Sequence, residues 1–327
     1  MSEQSGTTSV EARAGAMLGA LVADAATMGL HWLYEPERIV AIAAKTDLVF
    51  LDADPAHFEG AKGYFAHQGK RGGEPSQYGA VLALAMDSMV ASGGNVDITD
   101  YQKRYMAFFG PGGGWTGYID RPTRGTLAAL ANGIDEKMPC VTGIDDDQLP
   151  ALSPVPAIVA ADPDHPALET LVTNMVRVTN DNTLANEAAL ITARLIRAGL
   201  HGEDLSAALA NEAERSGDVL QPLLREALQR TAENTVDVAG HFGRACHVHQ
   251  GMPVVFHLLA TTDSFEGGVR NNILAGGDSC GRAMALGSIL GARFGFGGEH
   301  GIPLPWLPRL NNGTRLMDQA YRLGTFT

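Results

Sequence analysis

Charge is scarce in this 327-residue chain: Asp, Glu, Lys and Arg together make up 19% of it, and aromatic residues only 6%. What charge there is leans acidic, with 24 Lys+Arg against 37 Asp+Glu and a net of −13. No basic stripe occurs, which excludes a nucleic-acid backbone as partner, because such binding is mainly neutralisation by Lys and Arg. Cysteine is rare as well. Cys140, Cys246 and Cys280 are odd in number and widely spaced, which is no disulfide framework and points to a reducing compartment. The opening MSEQSGTTSVEARAG lacks a basic stretch followed by an apolar one. The most apolar early segment, Ala14 to Leu33, carries Asp24 and His31, so no membrane span is expected. A cytoplasmic location follows as an expectation.

What is abundant is small and apolar. Hydrophobic residues reach 45% and Gly numbers 39, which excludes disorder. A chain of this length buries roughly 75% of its unfolded surface. Apolar residues recur at three- and four-residue spacing, and alternating β-branched runs are rare. The pattern predicts helices over about 8–30, 76–92, 97–109, 121–133, 166–178, 183–199, 203–214, 217–233, 251–261, 264–275 and 278–295. Asp97 or Thr99, Asn182 and Ser264 stand as caps before three of them. Lys45 to Val49 is the one candidate strand. The fold expected is therefore all-α, one large orthogonal helical bundle over 1–327, with residues 1–10 a flexible N-terminus. The Pro- and Asp-rich stretch Pro139 to Pro166 reads as a long surface connection inside that domain. Gly15, Gly19, Ala20, Ala23 and Ala26 in the first helix, and Gly281, Ala285, Gly287, Ser288 and Gly291 in the last predicted one, indicate close backbone approach. A helix Gly otherwise costs up to about 1 kcal/mol relative to Ala.

Four segments could carry chemistry. Asp24 stands among Val22, Ala23, Ala25 and Ala26, where an ionised carboxylate needs a partner; a functional group and a carboxylate that satisfies a nearby helix N-terminus weigh equally. His31, two helical turns on, reads as a structural hydrogen-bonder. In GKRGGEPSQYGAVLALAM (69–86) a Gly-rich basic loop leads to Ser76 as cap or Pro75 as first helical residue. Ser76, Gln77 and Tyr78 would then sit where free N–H groups favour an anion. In GPGGGWTGYIDRPTRGTLAAL (110–130), Gly113 and Gly114 would allow close backbone approach to a ligand, and Trp115, Tyr118 and Arg124 could stack on a base or bond a phosphate. In NNILAGGDSCGRAMALGSILGARFG (271–295), Asp278 is the expected N-cap and Arg282, at i+4, lies within reach of it. The ACHVH run at 245–249 has no metal-ligand spacing, and no G-x-S-x-G is present.

Taken in order, these segments resemble the ADP-ribosylglycohydrolase family, from about Ala12 to Gly297. GAMLGALVADAATMG is similar to the family's G-x-x-x-G-x-x-x-G-D-x-x-G, with Asp24 at the Asp. VTNDNTLANEAA (178–189) resembles its T-H-x-x-P-x-x-x-x-A-A region, and AGGDSCGRAMALGSILGARFG its G-G-D-T-D-T-x-A-x-x-x-G-x-x-x-G-A-x-x-G. The resemblance implies an all-α domain that binds ADP-ribose and holds two Mg²⁺ between a T-D-D-T and a D-T-D-T motif, acting on an N- or O-glycosidic bond. Here the first motif reads Ser76-Gln77-Tyr78-Gly79 and the second Asp278-Ser279-Cys280-Gly281. Only Ser76 and Asp278 remain as candidate metal ligands, so no cofactor is assigned with confidence. Three readings follow. In a metal-poor hydrolase Arg282 would supply a cation and Asp278, Asp24 or Glu74 the acid–base work. In a non-catalytic binder of an ADP-ribose-like ligand, free or protein-linked, Ser76, Gln77, Tyr78, Gly113, Gly114, Trp115, Arg124 and Ser279 would form the site. The third is a structural, crystallin-like protein. The oligomeric state is not fixed by any of these residues.

Overall fold

The structure is a computed structural model that describes residues 8–133 and 141–326. It is all-α, with no strand among the described residues and only isolated bridges, such as Leu33 with Gly63. Fifteen α-helices occur among the described residues. They are α1 (Val10–Thr27), α2 (Pro36–Ala43), α3 (Gln77–Ala91), α4 (Ile98–Phe109), α5 (Arg121–Asn132), α6 (Val155–Ala161), α7 (Leu168–Val176), α8 (Thr183–Leu200), α9 (Leu205–Arg215), α10 (Leu220–Gln229), α11 (Thr235–Phe242), α12 (Val248–Thr261), α13 (Phe265–Ala275), α14 (Ser279–Phe294) and α15 (Gly313–Thr325). None is long and apolar enough to cross a membrane.

The caps fall where short polar side chains precede apolar periodicity. Asp97 accepts the Asp100 N–H at 2.9 Å, Asn182 the N–H groups of Leu184 and Ala185, and Ser264 that of Gly267. At the centre α1 lies against α14. A Cβ on Gly19 would come within 2.2 Å of the Gly287 carbonyl oxygen, and one on Gly15 within 2.5 Å of that of Gly291. The small residues thus do what the sequence suggests: they let two buried helix backbones touch. Every residue of α1 from Arg13 to Thr27 is buried.

Four helices are absent from the sequence-based prediction: α2, α6, α11 and α15. Three of them have only seven or eight residues, too few for a periodicity to emerge. The candidate strand at Lys45 to Val49 is a run of turns after α2. The described part of the Pro139 to Pro166 stretch is not a surface connection; Pro139 and Cys140 lie outside the described residues. Its helix α6 carries Pro156 in its first turn, where no intrahelical N–H is required. All seven of its residues are buried, against α1, α3, α7, α8 and α15. Most of the expected flexible N-terminus, residues 1–7, also lies outside the described residues, and α1 begins at Val10.

Candidate functional site

The N-terminal ends of α3, α5 and α14 converge with the C-terminal part of α1. Asp24 lies fully buried in α1 and accepts two hydrogen bonds from Ser76, the α3 cap: from its N–H at 2.9 Å and its hydroxyl at 2.5 Å. The Ser76 Oγ in turn accepts the Tyr78 N–H at 3.0 Å. The anion that this helix N-terminus favours is therefore supplied by the chain itself. Burial lifts the Asp24 carboxyl to about 6, opposed by the Ser76 hydrogen bonds and by the charge of Lys70.

Asp278 caps α14 through the Gly281 N–H, at 3.1 Å. Its other oxygen, Oδ2, is buried with no hydrogen-bond partner among the described residues. Burial lifts this carboxyl to about 6 as well; Arg282 opposes the shift, and the negative fields of Asp120 and Asp24 add to it. His31 stands 3.6 Å away from Asp278 Oδ1. That contact is not an ion pair, because His31 Nδ1 accepts the Cys280 N–H at 3.2 Å and burial holds the imidazole well below its ordinary range. A lone pair facing a carboxylate favours the protonated acid. His31 is the structural hydrogen-bonder that the sequence suggests.

The expected pairing of Arg282 with Asp278 is not formed. Arg282 is fully buried, yet its Nε donates to Asn272 Oδ1 at 2.8 Å and its Nη2 to the Gly276 carbonyl at 2.6 Å. Helical side chains lean toward the helix N-terminus. Here that direction leads to the end of α13, whose last carbonyls have no intrahelical donors. Burial pulls this guanidinium down to about 10. Arg282 therefore holds the α13–α14 turn together rather than facing a ligand. Glu74 is likewise engaged locally, its carboxylate accepting the Arg71 N–H at 2.6 Å.

The side chains at the expected ligand-binding positions are used mostly for packing. Gln77 donates to Thr123 Oγ1 at 2.5 Å and accepts the Asp120 N–H at 2.7 Å, tying α3 to the α5 cap. Tyr78 is buried beside His31, ring centroids 5.7 Å apart, and burial raises its phenol well above the ordinary range. A Cβ on Gly113 would meet the Phe108 carbonyl oxygen at 2.4 Å, and one on Gly114 the Phe108 ring at 3.3 Å. These glycines fold the loop back onto α4. Ser279 is buried with its hydroxyl unpartnered among the described residues. Arg124 is exposed and donates to the Ile119 carbonyl.

The residues do not fit a pair of Mg²⁺ ions. Hard divalent cations need several carboxylate, carbonyl or water oxygens around them. The amide of Gln77 is already occupied on both sides, Cys280 presents a soft, protonated thiol, and Asp278 has no water-accessible surface. Among the described residues no group of three or more His, Cys, Asp or Glu is placed to hold a metal.

Toward the surface, Trp115 and Tyr118 of the 110–130 segment and Lys70 of the 69–86 segment meet three residues that the sequence did not single out, Trp32, Tyr64 and His67. Trp32, Tyr64 and Tyr118 pack ring to ring, with centroids 5.1 to 5.8 Å apart. Lys70 Nζ sits 4.1 Å from the centre of the Trp115 ring. His67 is buried with both ring nitrogens unpartnered among the described residues. Trp32 and His31 form the only His-Trp pair in the chain, and the basic loop 69–76 contains Lys70. Trp115 and Tyr118 are legible in the 110–130 segment; for Trp32 and Lys70 these are the signals, and neither has the spacing of a motif.

Four surface clefts open elsewhere, none of them lined by Asp24, Ser76 or Asp278. The fold and the converging helix ends define a helical scaffold in which Ser76, Gln77 and Tyr78 open α3 and Asp278, Ser279 and Cys280 open α14. The sequence signature of the ADP-ribosylglycohydrolase family matches residues 7–326, so the chain belongs to that family. The match extends through α15, beyond the segment in which the motifs are legible. The chain is similar to Crystallin J1A of Tripedalia cystophora, at 24% identity over 320 residues covering 94% of each protein. Crystallin J1B of the same organism is 22% identical over the same extent. A solved structure described as an ADP-ribosylglycohydrolase-related protein complex superposes with a TM-score of 0.70. It covers 96% of this chain and 97% of that one at 24% identity, a likeness of fold.

Proposed function

We propose that this chain is a non-hydrolytic member of its family that binds an ADP-ribose-like nucleotide without magnesium. The observation that carries this reading is the use of Gln77: both ends of its amide are committed to the α5 cap, at the position where the family's first motif has a carboxylate. Of the acid–base alternatives, Glu74 is partly exposed but engaged by the Arg71 N–H, and the others lack reach. Asp24 and Asp278 have no exposed surface, and Arg282 faces α13. A general acid must come within hydrogen-bond distance of the atom that it protonates. Retained binding is supported by the aromatic cluster at Trp32, Tyr64 and Tyr118, with Tyr64 56% exposed. The test is calorimetric titration with ADP-ribose alongside a turnover assay on an ADP-ribosylated peptide, each with and without Mg²⁺. The expected result is metal-independent binding and no release of ADP-ribose.

A second reading, a structural protein without a small ligand, is supported by the two crystallin relatives. Absence of any heat with ADP-ribose at millimolar concentration would select it.

A further inference from the structure

The run from Ala245 to His249 has no metal-ligand spacing of its own, but the fold brings it a carboxylate from 100 residues away. His247 Nδ1 lies 2.7 Å from Asp147 Oδ1, and His249 Nδ1 lies 3.6 Å from Asp147 Oδ2. The two imidazoles stack, with ring centroids 5.5 Å apart and planes 25° from parallel. The backbone holds the group in register. The Val248 N–H donates to the Asp147 carbonyl and the Leu149 N–H to that of Cys246, each at 2.8 Å. The His247 carbonyl accepts the N–H groups of Gln250 and Gly251 in the first turn of α12. Asp147 is the one of three consecutive acids left to the imidazoles, because Asp146 is paired with Arg121 and Asp145 accepts from Asn182. Cys246, next in the chain, is no candidate donor, since burial and the Asp278 field push its thiol far up. A carboxylate only accepts, so the bonded Nδ1 of His247 carries the ring proton and its Nε2 keeps a free lone pair. The same carboxylate draws the His249 proton to its Nδ1. Neither Nε2 has a hydrogen bond or ion pair with a described residue, and the two side chains are 43% and 42% exposed.

We propose that His247 and His249, with Asp147 behind them, form an exchangeable site for a late first-row divalent cation, zinc or copper(II), bound through both Nε2 atoms. Imidazole nitrogen suits these ions, whereas magnesium takes hard oxygens. The ring spacing fits. A zinc–imidazole bond of about 2.0–2.1 Å puts each ring centre roughly 3 Å from the ion, so a tetrahedral pair has centroids roughly 5 Å apart. A carboxylate on the far nitrogen of a ligating imidazole fixes its tautomer and orientation and raises its basicity. Asp147 orients the ligands without being one, so the site has two protein donors and is no cluster of three. Water fills the remaining positions, which makes the ion exchangeable rather than structural. The site does not depend on the chain binding a nucleotide.

The experiment takes the full chain, stripped of metal with a chelator, and titrates it with zinc chloride by calorimetry, with magnesium chloride as control. Copper(II) is added in parallel and followed by electron paramagnetic resonance, which counts nitrogen ligands. His247→Gln, His249→Gln and Asp147→Ala are titrated alongside. All three side chains are partly exposed, so the variants are expected to fold, which circular dichroism checks. The unaltered chain should take up one equivalent of zinc, give no heat with magnesium, and show two nitrogen ligands on copper. Either His variant should abolish that equivalent, and Asp147→Ala should weaken it about 10- to 100-fold. Zinc uptake that survives either His substitution, or a copper spectrum with fewer than two nitrogens, overturns the proposal. So does full zinc affinity in Asp147→Ala, which marks adventitious chelation by surface imidazoles. Absence of zinc uptake by the unaltered chain overturns it outright.

Discussion

The carboxylate of Asp24, buried in α1, accepts both the backbone N–H and the hydroxyl of Ser76, 52 residues further along the chain. This pair fastens the start of α3 to the central helix. Asp24→Ala leaves two donors without an acceptor in a place that water does not reach. Each such group costs about 1–3 kcal/mol, so a loss of roughly 2–5 kcal/mol is expected. Ser76→Ala removes one donor and the cap on Tyr78 and should cost less, about 1–3 kcal/mol. Urea melts of the two variants and the double variant would measure this. Fully additive losses would show that the two side chains do not act as a pair.

Asp278→Asn isolates the other buried acid. Its folded-state value of about 6 lies above the 3.8 of the unfolded chain. Below about 4 the acid is neutral in both states. As pH rises toward 6 and beyond, only the folded state resists ionisation, so stability is lost with rising pH. Asn caps a helix as well as Asp does. Near pH 8 the variant should therefore be more stable than the parent by up to about 3 kcal/mol, shrinking toward zero near pH 4. A pH series of melting temperatures that runs parallel for the two proteins would contradict this.

Burial works in the opposite direction on His67, pulling it down to about 4. Between about 6.5 and 4 the unfolded chain takes up a proton that the folded one refuses, so His67 lowers stability as pH falls through that window. His67→Gln should flatten this acid limb, by about 3 kcal/mol at most, in the same pH series.

Gly19 and Gly287 admit no side chain. A Cβ on Gly19 meets the Gly287 carbonyl oxygen at 2.2 Å, and one on Gly287 meets that of Gly19 at 2.5 Å. Helix propensity alone would make Gly→Ala favourable by up to about 1 kcal/mol. The clash reverses the sign, and Gly19→Ala should destabilise by about 1–3 kcal/mol. A stabilised variant would mean that α1 and α14 are not in backbone contact.

Magnesium should leave the melting temperature where it is. A ligand of the native state at a hundred times its dissociation constant adds roughly 2.7 kcal/mol, an easily resolved shift. The donor set around Asp278 cannot supply such binding. A rise in melting temperature with Mg²⁺, abolished by Asp278→Asn, would falsify the metal-free assignment.

The sequence by itself determined the helical class, most of the long helices, their Asp97, Asn182 and Ser264 caps, and the small-residue seam between α1 and α14. These are properties of local periodicity, of polar side chains beside it, and of glycine recurring where a packed helix would otherwise avoid it. By resemblance it also marked Gln77, Tyr78 and Cys280 as standing where the family motifs carry carboxylates. It did not show α6, because a seven-residue buried helix with a proline in its first turn resembles a loop. Nor did it show where buried donors and acceptors would turn. Asp278 is four residues before Arg282, yet the guanidinium goes to the carbonyls ending α13, which no spacing announces. Only the tertiary structure set Lys70 over Trp115, 45 residues away, and gave Asp24 to Ser76. A hydrogen bond or a cation–ring contact is chosen by which groups lie within about 3–6 Å after the helices have packed. That distance is decided by the core rather than by neighbours in the chain.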